Sequence, residues 1–334
     1  MNRIPWYPLR FEPIYQYRPW GGRRLANVLS TPLPGDDERI GEAWLISDRD
    51  ECLSRVADGP LAGQTIAELI RDSPQELLGA SAAHWRRFPL LLKFLDVCDR
   101  LSVQVHPTDD QTAFLPQAES GKTEAWVVLH SGAAARVYAG LDPQITAEDL
   151  RQALATRTVA DYLASFTPQI GDAVLLPAGT VHSLQDVVVF EVQQNSDVTF
   201  RLDDWDRIDA KTGRRRHLQV EQALACLTFP QGMITPVLPV VEAVWPVLRE
   251  RLFLCEHFGV WRLHGGSSFP VGKLATARLL VCIEGGGTLV HDEAEFAFRK
   301  GEVLLLPAAI GLCRCQTPTT VTLLEISLPE SPPP

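Results

Sequence analysis

The stretch Gly171-Asp-Ala-Val-Leu-Leu-Pro177-Ala-Gly179-Thr-Val-His182 leaves this chain few choices. Val174-Leu-Leu favours an extended strand, and Pro177 and Gly179 set a tight turn. The backbone must reverse there, and His182 opens the return strand. A lone histidine is a weak sign of metal, so its meaning depends on which polar residues upstream reach the same place. Composition agrees with many short strands. The 25 Pro and 23 Gly are spread along 334 residues, and 46% of side chains are hydrophobic, so a large core is available. The length suits two domains.

A net charge of -10 argues against nucleic-acid and membrane-surface partners. No run of about 18 apolar residues occurs, and Met1 to Pro13 lacks the apolar centre of a signal peptide. Seven scattered cysteines, an odd number, read as reduced thiols of a cytoplasmic protein.

Helical spacing predicts a helix from Thr65, with Ser73-Pro74 able to start another, and Thr146-Ala-Glu-Asp149 caps a helix reaching about Ala155. Further short helices are expected over 159–166 and 219–227. Pro89 to Val97 is apolar except for Lys93, which either lines a polar cavity or reaches solvent from an edge. Gln104 and His106 share one strand face, as do Lys122, Glu124 and Trp126. On a strand continuing from Val187, Gln193, Asn195, Asp197, Thr199 and Arg201 fall on one face. The run Arg214-Arg-Arg reads as a solvated loop. Thr235 to Val247, with three prolines, reads as a connector. Gly301 to Leu312 repeats the opening stretch in outline, but Ala309 replaces the second glycine and Leu312 stands in the place of His182. That pattern points to an internal duplication whose second copy has lost its ligand.

Gln104, His106, Glu124 and His182 together form a mixed nitrogen and oxygen set suited to zinc or another first-row divalent ion. The order G-x5-P-x-G-x2-H resembles the second signature of metal-binding cupin barrels. Wider motifs carry a closer resemblance: Tyr17-Arg-Pro-Trp-Gly-Gly, Ile40-Gly-Glu-Ala-Trp, Phe88-Pro-Leu-Leu-Leu-Lys-Phe-Leu-Asp, Leu101-Ser-Val-Gln-Val-His-Pro, Gly121-Lys-Thr-Glu-Ala-Trp, Pro177-Ala-Gly-Thr-Val-His and Gln193-Gln-Asn-Ser-Asp-Val-Thr-Phe-Arg. From about residue 5 to residue 220, and more weakly to the end, the chain resembles the type I mannose-6-phosphate isomerase family in its short bacterial form. Ser183-Leu-Gln-Asp-Val departs from the family's usual glycines after the metal histidine, in a loop about one residue shorter.

The resemblance implies a mainly β protein of two cupin-type (jelly-roll) barrels with a few short helices packed on the first. Residues 1–240 are then the metal-binding catalytic domain with helical insertions, and 241–330 a degenerate cupin-like domain without ligands. It implies one zinc ion per chain on Gln104, His106, Glu124 and His182, and interconversion of mannose 6-phosphate and fructose 6-phosphate through a cis-enediol. A small sugar phosphate is the expected partner, and the chain is a monomer or homodimer. Such chemistry needs a base, stabilisation of an enediolate and a phosphate anchor. Arg201 is assigned to the enediolate or the phosphate. Lys122 is a candidate for proton transfer, with its pKa lowered by burial and a nearby cation. Lys93 is a candidate for the phosphate or a sugar oxygen, and Asp197 for holding Arg201 or shuttling a proton. Glu42 and Trp20 receive no role beyond shaping the pocket. The alternatives are a metal-dependent dioxygenase, which Gln104 in place of a first histidine disfavours, a non-catalytic sugar-binding cupin, and an isomerase for another aldose or aldose phosphate.

Overall fold

The computed structural model describes residues 6–29, 32–36, 38–111, 113, 115 and 119–329. Its strands in chain order are β1 Leu9–Arg10, β2 Ile14–Gly22, β3 Ile40–Ile46, β4 Asp48–Arg49, β5 Cys52–Leu53, β6 Leu90–Arg100, β7 Val103–Val105, β8 Glu124–Leu141, β9 Leu163–Phe166, β10 Ala173–Leu176, β11 His182–Gln194 and β12 Phe200–Asp203. They continue with β13 Val240–Ala243, β14 Leu248–Leu254, β15 Gly259–Gly265, β16 Phe269–Gly272, β17 Arg278–Glu284, β18 Gly286–His291, β19 Ala294–Arg299, β20 Val303–Leu306, β21 Leu312–Gln316 and β22 Val321–Ser327. The α-helices are α1 Ile66–Asp72, α2 Pro74–Leu78, α3 Ala147–Thr156 and α4 Val220–Cys226.

This is a mixed α/β fold. Its nine-stranded sheet, with the spine β10-β8-β11-β6-β2-β3, is curled as a cupin-like half-barrel, and β7, β9 and β12 join it. Residues beyond 240 contribute to a seven-stranded sheet, β1-β20-β17-β22-β15-β14-β13, and a separate four-stranded sheet, β16-β21-β18-β19, rather than to one continuous barrel. Capping boxes start α1 (Thr65 with Glu68) and α3 (Thr146 with Asp149) where the sequence places them, and Pro74 begins α2. All seven cysteines are free. Among the described residues no helix is long and apolar enough to cross a membrane.

Three local readings need correction. The helix expected over 159–166 is a 3-10 turn, Val159–Tyr162, followed by β9, which pairs along β8 with Leu163 opposite Leu141. The strand expected to run on to Arg201 ends at Gln194. There the amide of Asn195 donates to Pro89, and the side chain of Gln193 donates to the carbonyl of Ser196. Such side-chain to backbone bonds offer the chain a turn in place of a ladder. Asp197 and Arg201 therefore do not share a face of one strand, because Arg201 lies on β12, which pairs with β7. The third correction is that the connector contains β13, an edge strand of the seven-stranded sheet.

The two ends of the chain interlock. Strand β1 pairs with β20, placing Leu9 opposite Leu305. One buried cluster includes Leu9, Phe94, Phe190, Leu279 and Ile326, so both large sheets contribute to the same core. Leu9 is fully buried. Truncating it in Leu9→Ala should cost roughly 2–5 kcal/mol. Because the core is shared, urea unfolding followed by tryptophan fluorescence and by circular dichroism should shift together; separate transitions would contradict a shared core.

Candidate metal centre

The turn after β10 organises the site. Gly179 has φ 84°, and a Cβ there would collide with Thr228, so glycine is required. Its amide donates to the carbonyl of His106 at 2.8 Å, fixing the turn beside the segment that carries the first histidine. Register does the rest: His182 lies opposite Gln104, and Glu124 opposite both Leu176 and Gln193.

The imidazoles are oriented by their outer nitrogens. His106 Nδ1 donates to the carbonyl of Val198 at 2.8 Å, and His182 Nδ1 to that of Thr180 at 2.9 Å. Each Nε2 lone pair is then left facing Glu124, the arrangement that metal-binding histidines use. Glu124 Oε2 lies 3.4 Å from His106 Nε2, and Oε1 lies 3.3 Å from His182 Nε2. The ligand atoms of these three buried residues fall within 4.8 Å of one another. Gln104 places its amide nitrogen 3.1 Å from His182 Nε2, while its oxygen accepts from Ser102 Oγ at 3.0 Å. Turning that amide over presents the oxygen to the cluster and leaves the nitrogen to donate to Ser102.

The charge state suits a cation. Burial, followed by the charge of Lys122, lowers His106 to about 3, and burial lowers His182 as well. Burial pushes Glu124 upward, but Lys122, His182 and His106 outweigh it and hold the carboxyl well below its usual range. The result is two neutral imidazoles and one carboxylate, the protonation that metal binding needs. Neither oxygen of Glu124 has a hydrogen bond of good geometry among the described residues. The Lys122 ammonium lies 2.9 Å from Oε2 and 3.1 Å from His106 Nε2, so a positive charge already sits against the cluster. Orphaned carboxylate oxygens, preset tautomers and this stand-in cation together fit a bound metal ion.

Lys122 is not held low as its sequence context implies. Burial acts in that direction, but Glu124, Glu191 and Asp197 raise it to about 12. Nor does Lys93 reach solvent: it is 3% exposed. Its Nζ lies 3.5 Å from Glu191, 3.7 Å from Asp197 and 4.0 Å from Glu42, over the ring of Trp44. Asp197 thus stands beside Lys93, and among the described residues it forms no ion pair with Arg201 within 4.0 Å. Arg201 lies opposite Gln104 across β12 and β7. Its Nε has no partner, and burial, then Arg216, lowers its pKa. The 211–216 run is tied to acids: Lys211 to Glu38, Arg215 to Asp206 and Arg216 to Asp204.

Sequence reasoning gave no role to Glu191 or Arg18, and gave Glu42 none beyond shaping the pocket. Glu191 accepts from Trp126 Nε1 at 2.8 Å, and burial, then Glu124, raises its pKa. Glu42 takes two bonds of 2.9 Å from Arg18 and one of 2.6 Å from Trp44. The available signal was parity: Glu191 is two residues from Gln193 in an apolar run, and Glu42 two from Trp44.

Comparison with known proteins follows the same lines. The phosphomannose isomerase type I catalytic domain matches residues 9–122, and the mannose-6-phosphate isomerase cupin domain matches residues 252–317. The probable mannose-6-phosphate isomerase GmuF of Bacillus subtilis (strain 168) is 32% identical over 310 residues, 91% of this chain and 95% of that protein. The chain belongs to the type I mannose-6-phosphate isomerase family. Another member, the mannose-6-phosphate isomerase of Streptococcus mutans, is 33% identical over 304 residues, covering 91% and 93% of the two chains. The crystal structure of a Bacillus subtilis mannose 6-phosphate isomerase superposes with a TM-score of 0.88 at 28% identity, covering 96% of this chain and 99% of that one. In this type I isomerase chain the catalytic-domain match contains Gln104 and His106, while Glu124 and His182 come from the strands that follow.

The Arg18–Glu42 pair has a measurable consequence. Burial pushes Glu42 up, but Arg18, then Lys93, outweigh it and bring it from 4.5 to about 2. A carboxyl depressed on folding stabilises fully above its unfolded pKa, and that stability is lost as pH falls toward the folded value. The contacts of the Glu42 carboxylate with Arg18, Lys93 and Trp44 should together contribute about 3 kcal/mol at neutral pH relative to the protonated form, fading between pH 4.5 and 2. Glu42→Gln should flatten that part of the stability profile measured by urea unfolding; an unchanged acid limb would contradict it.

Proposed function

We propose that this chain is a zinc-dependent aldose–ketose isomerase interconverting mannose 6-phosphate and fructose 6-phosphate. The observation that carries the reading is the buried Gln104, His106, Glu124 and His182 cluster, bordered by Lys122 and the partnerless Nε of Arg201. Support comes also from relatives bearing the name mannose-6-phosphate isomerase that align along nine-tenths of the chain.

In this reading the four cluster residues hold the ion. Bound there, zinc supplies Lewis-acid polarisation of the sugar oxygens at C1 and C2. The chain must move a proton from C2 to C1 and stabilise the negative charge that builds on the enediolate. Lys122 is cationic, so it serves as a hydrogen-bond donor to a developing oxyanion. Arg201, with a buried nitrogen seeking an acceptor, stabilises the enediolate or holds the phosphate. Lys93 already faces three carboxylates, which suits contact with a sugar hydroxyl better than phosphate binding. Asp197 is half-exposed at the edge of this group, a position suited to passing a proton to water.

The domain reading goes with this one. Residues 1–240 supply the metal site with its helical insertions, and 241–330 form a second, degenerate cupin-type unit. The repeated strand order and Leu312 in the place of His182 support it. Seven unpaired thiols suit a reducing, cytoplasmic setting.

A coupled assay of mannose 6-phosphate conversion should lose its signal on chelation and regain it with zinc. No turnover by metal-loaded protein would sink the isomerase reading, leaving a sugar-binding protein or an isomerase for another aldose. Metal content separates the residue roles. Glu124→Ala should lose both metal and turnover, whereas Arg201→Ala should keep its metal while kcat falls about 100- to 1,000-fold. Near-normal kcat in Arg201→Ala would remove that residue from the mechanism.

A further inference from the structure

Strand β2 leaves its ladder with β3 between Tyr17 and Gly22, both of which face Ile40. Arg18 lies in the segment that bows out there, and its guanidinium meets Glu42 on β3. Gly41 makes the approach possible, because a Cβ at that position would collide with Cβ and Cγ of Arg18. Nε and Nη2 of Arg18 each donate to Glu42 at 2.9 Å, one bond to each carboxylate oxygen, and Nη1 donates to the carbonyl of Tyr17 at 3.1 Å. A fork of this kind fixes a carboxylate in one orientation. Glu42 Oε2 also accepts from Trp44 Nε1 at 2.6 Å, so both lone-pair directions of that oxygen are used.

The same Oε2 is the Glu42 atom that faces Lys93, at 4.0 Å. The Lys93 ammonium is 3% exposed and stands 3.5 Å from Glu191 and 3.7 Å from Asp197. All three separations exceed the roughly 2.7–2.9 Å of an ammonium–carboxylate hydrogen bond. Among the described residues the ammonium is held between three acids without being committed to any one of them, and its donors remain for a ligand. A buried ammonium so placed closes on whichever carboxylate offers it a free lone pair. Glu42 Oε2 offers none, because Arg18 and Trp44 have filled it.

We propose that Arg18 is a positioning residue for Lys93: by saturating Glu42 it keeps that acid from capturing the ammonium, and so leaves Lys93 free to hydrogen-bond a hydroxyl of the substrate sugar. The inference rests on the isomerase reading and on the role given there to Lys93. A hydroxyl contact present in both the bound substrate and the transition state shows in KM rather than in kcat. Steady-state kinetics of the zinc-loaded full chain test it, with wild type measured first. Arg18→Met should raise KM for mannose 6-phosphate at least fivefold, while kcat falls less than threefold and zinc content equals that of wild type. Arg18→Lys, which returns a cation to Glu42, should bring KM back to within twofold of wild type. In a Lys93→Met background, adding Arg18→Met should change KM by less than twofold, because the group through which Arg18 acts is gone. A merely structural loss would add to that of Lys93→Met and would not be repaired by lysine. If Arg18→Met does not fold, Arg18→Gln, with a neutral amide donor for Glu42, takes its place with the same expectation. Wild-type KM in that variant, or additive losses in the double variant, would overturn the role of Arg18 and leave the isomerase reading intact. A zinc-loaded wild type without turnover would overturn that reading, and this inference with it.

Discussion

Glu124 is a carboxylate withdrawn almost wholly from water, without a well-formed hydrogen bond to either oxygen. A buried charge in that condition is strongly unfavourable unless a cation compensates it. The surroundings supply that compensation partway, through the Lys122 ammonium at 2.9 Å. A metal ion bound by His106, Glu124 and His182 would complete it. Much of the curled sheet follows from bringing β7, β8 and β11 close enough to place those atoms together. The Gly179 amide bond to His106 is the local device that holds the arrangement.

Around that centre the charges are layered. One row of the sheet carries Trp44, Lys93, Glu191 and Trp126 on neighbouring strands β3, β6, β11 and β8. Lys93 is neutralised by carboxylates on three sides, and Glu42 is anchored outward through Arg18. Buried ionic rows of this kind are weak sources of stability but strong constraints on geometry. The seven-stranded sheet repeats the order β10-β8-β11-β6 as β20-β17-β22-β15, with Arg278 at the register position of Glu124 and Glu325 at that of Glu191.

The curled cupin-like sheet and the helix starts were legible because they rest on local rules. Glycine and proline dictate turns, and a threonine followed three residues later by an acid caps a helix. The meeting of His106, Glu124 and His182 was legible because period-two spacing and the turn bring their strands to one end of the sheet. What escaped was long-range. Nothing local says that Arg18 meets Glu42, or that Glu191 faces Lys93, because both depend on strand register. The break after Gln194 was missed because Asn195-Ser-Asp continues the alternation of β11 while its side chains favour a turn. The charge of Lys122 was misjudged because its nearest acid, Glu124, outweighs burial, helped by Glu191 and Asp197 from far along the chain.

The central claim is that these four side chains form one oxygen and nitrogen metal site from which the Lys122 ammonium withdraws when the ion binds. A crystal structure of the zinc-loaded protein, with anomalous data at the zinc edge, tests it most directly. The account predicts one ion within about 2.0–2.2 Å of His106 Nε2, His182 Nε2 and a Glu124 oxygen, with the Gln104 amide oxygen turned toward it. Lys122 Nζ should then lie well beyond its present 3.1 Å from His106 Nε2. An ion held elsewhere, sulfur among its ligands, or Lys122 unmoved against the histidine would contradict it.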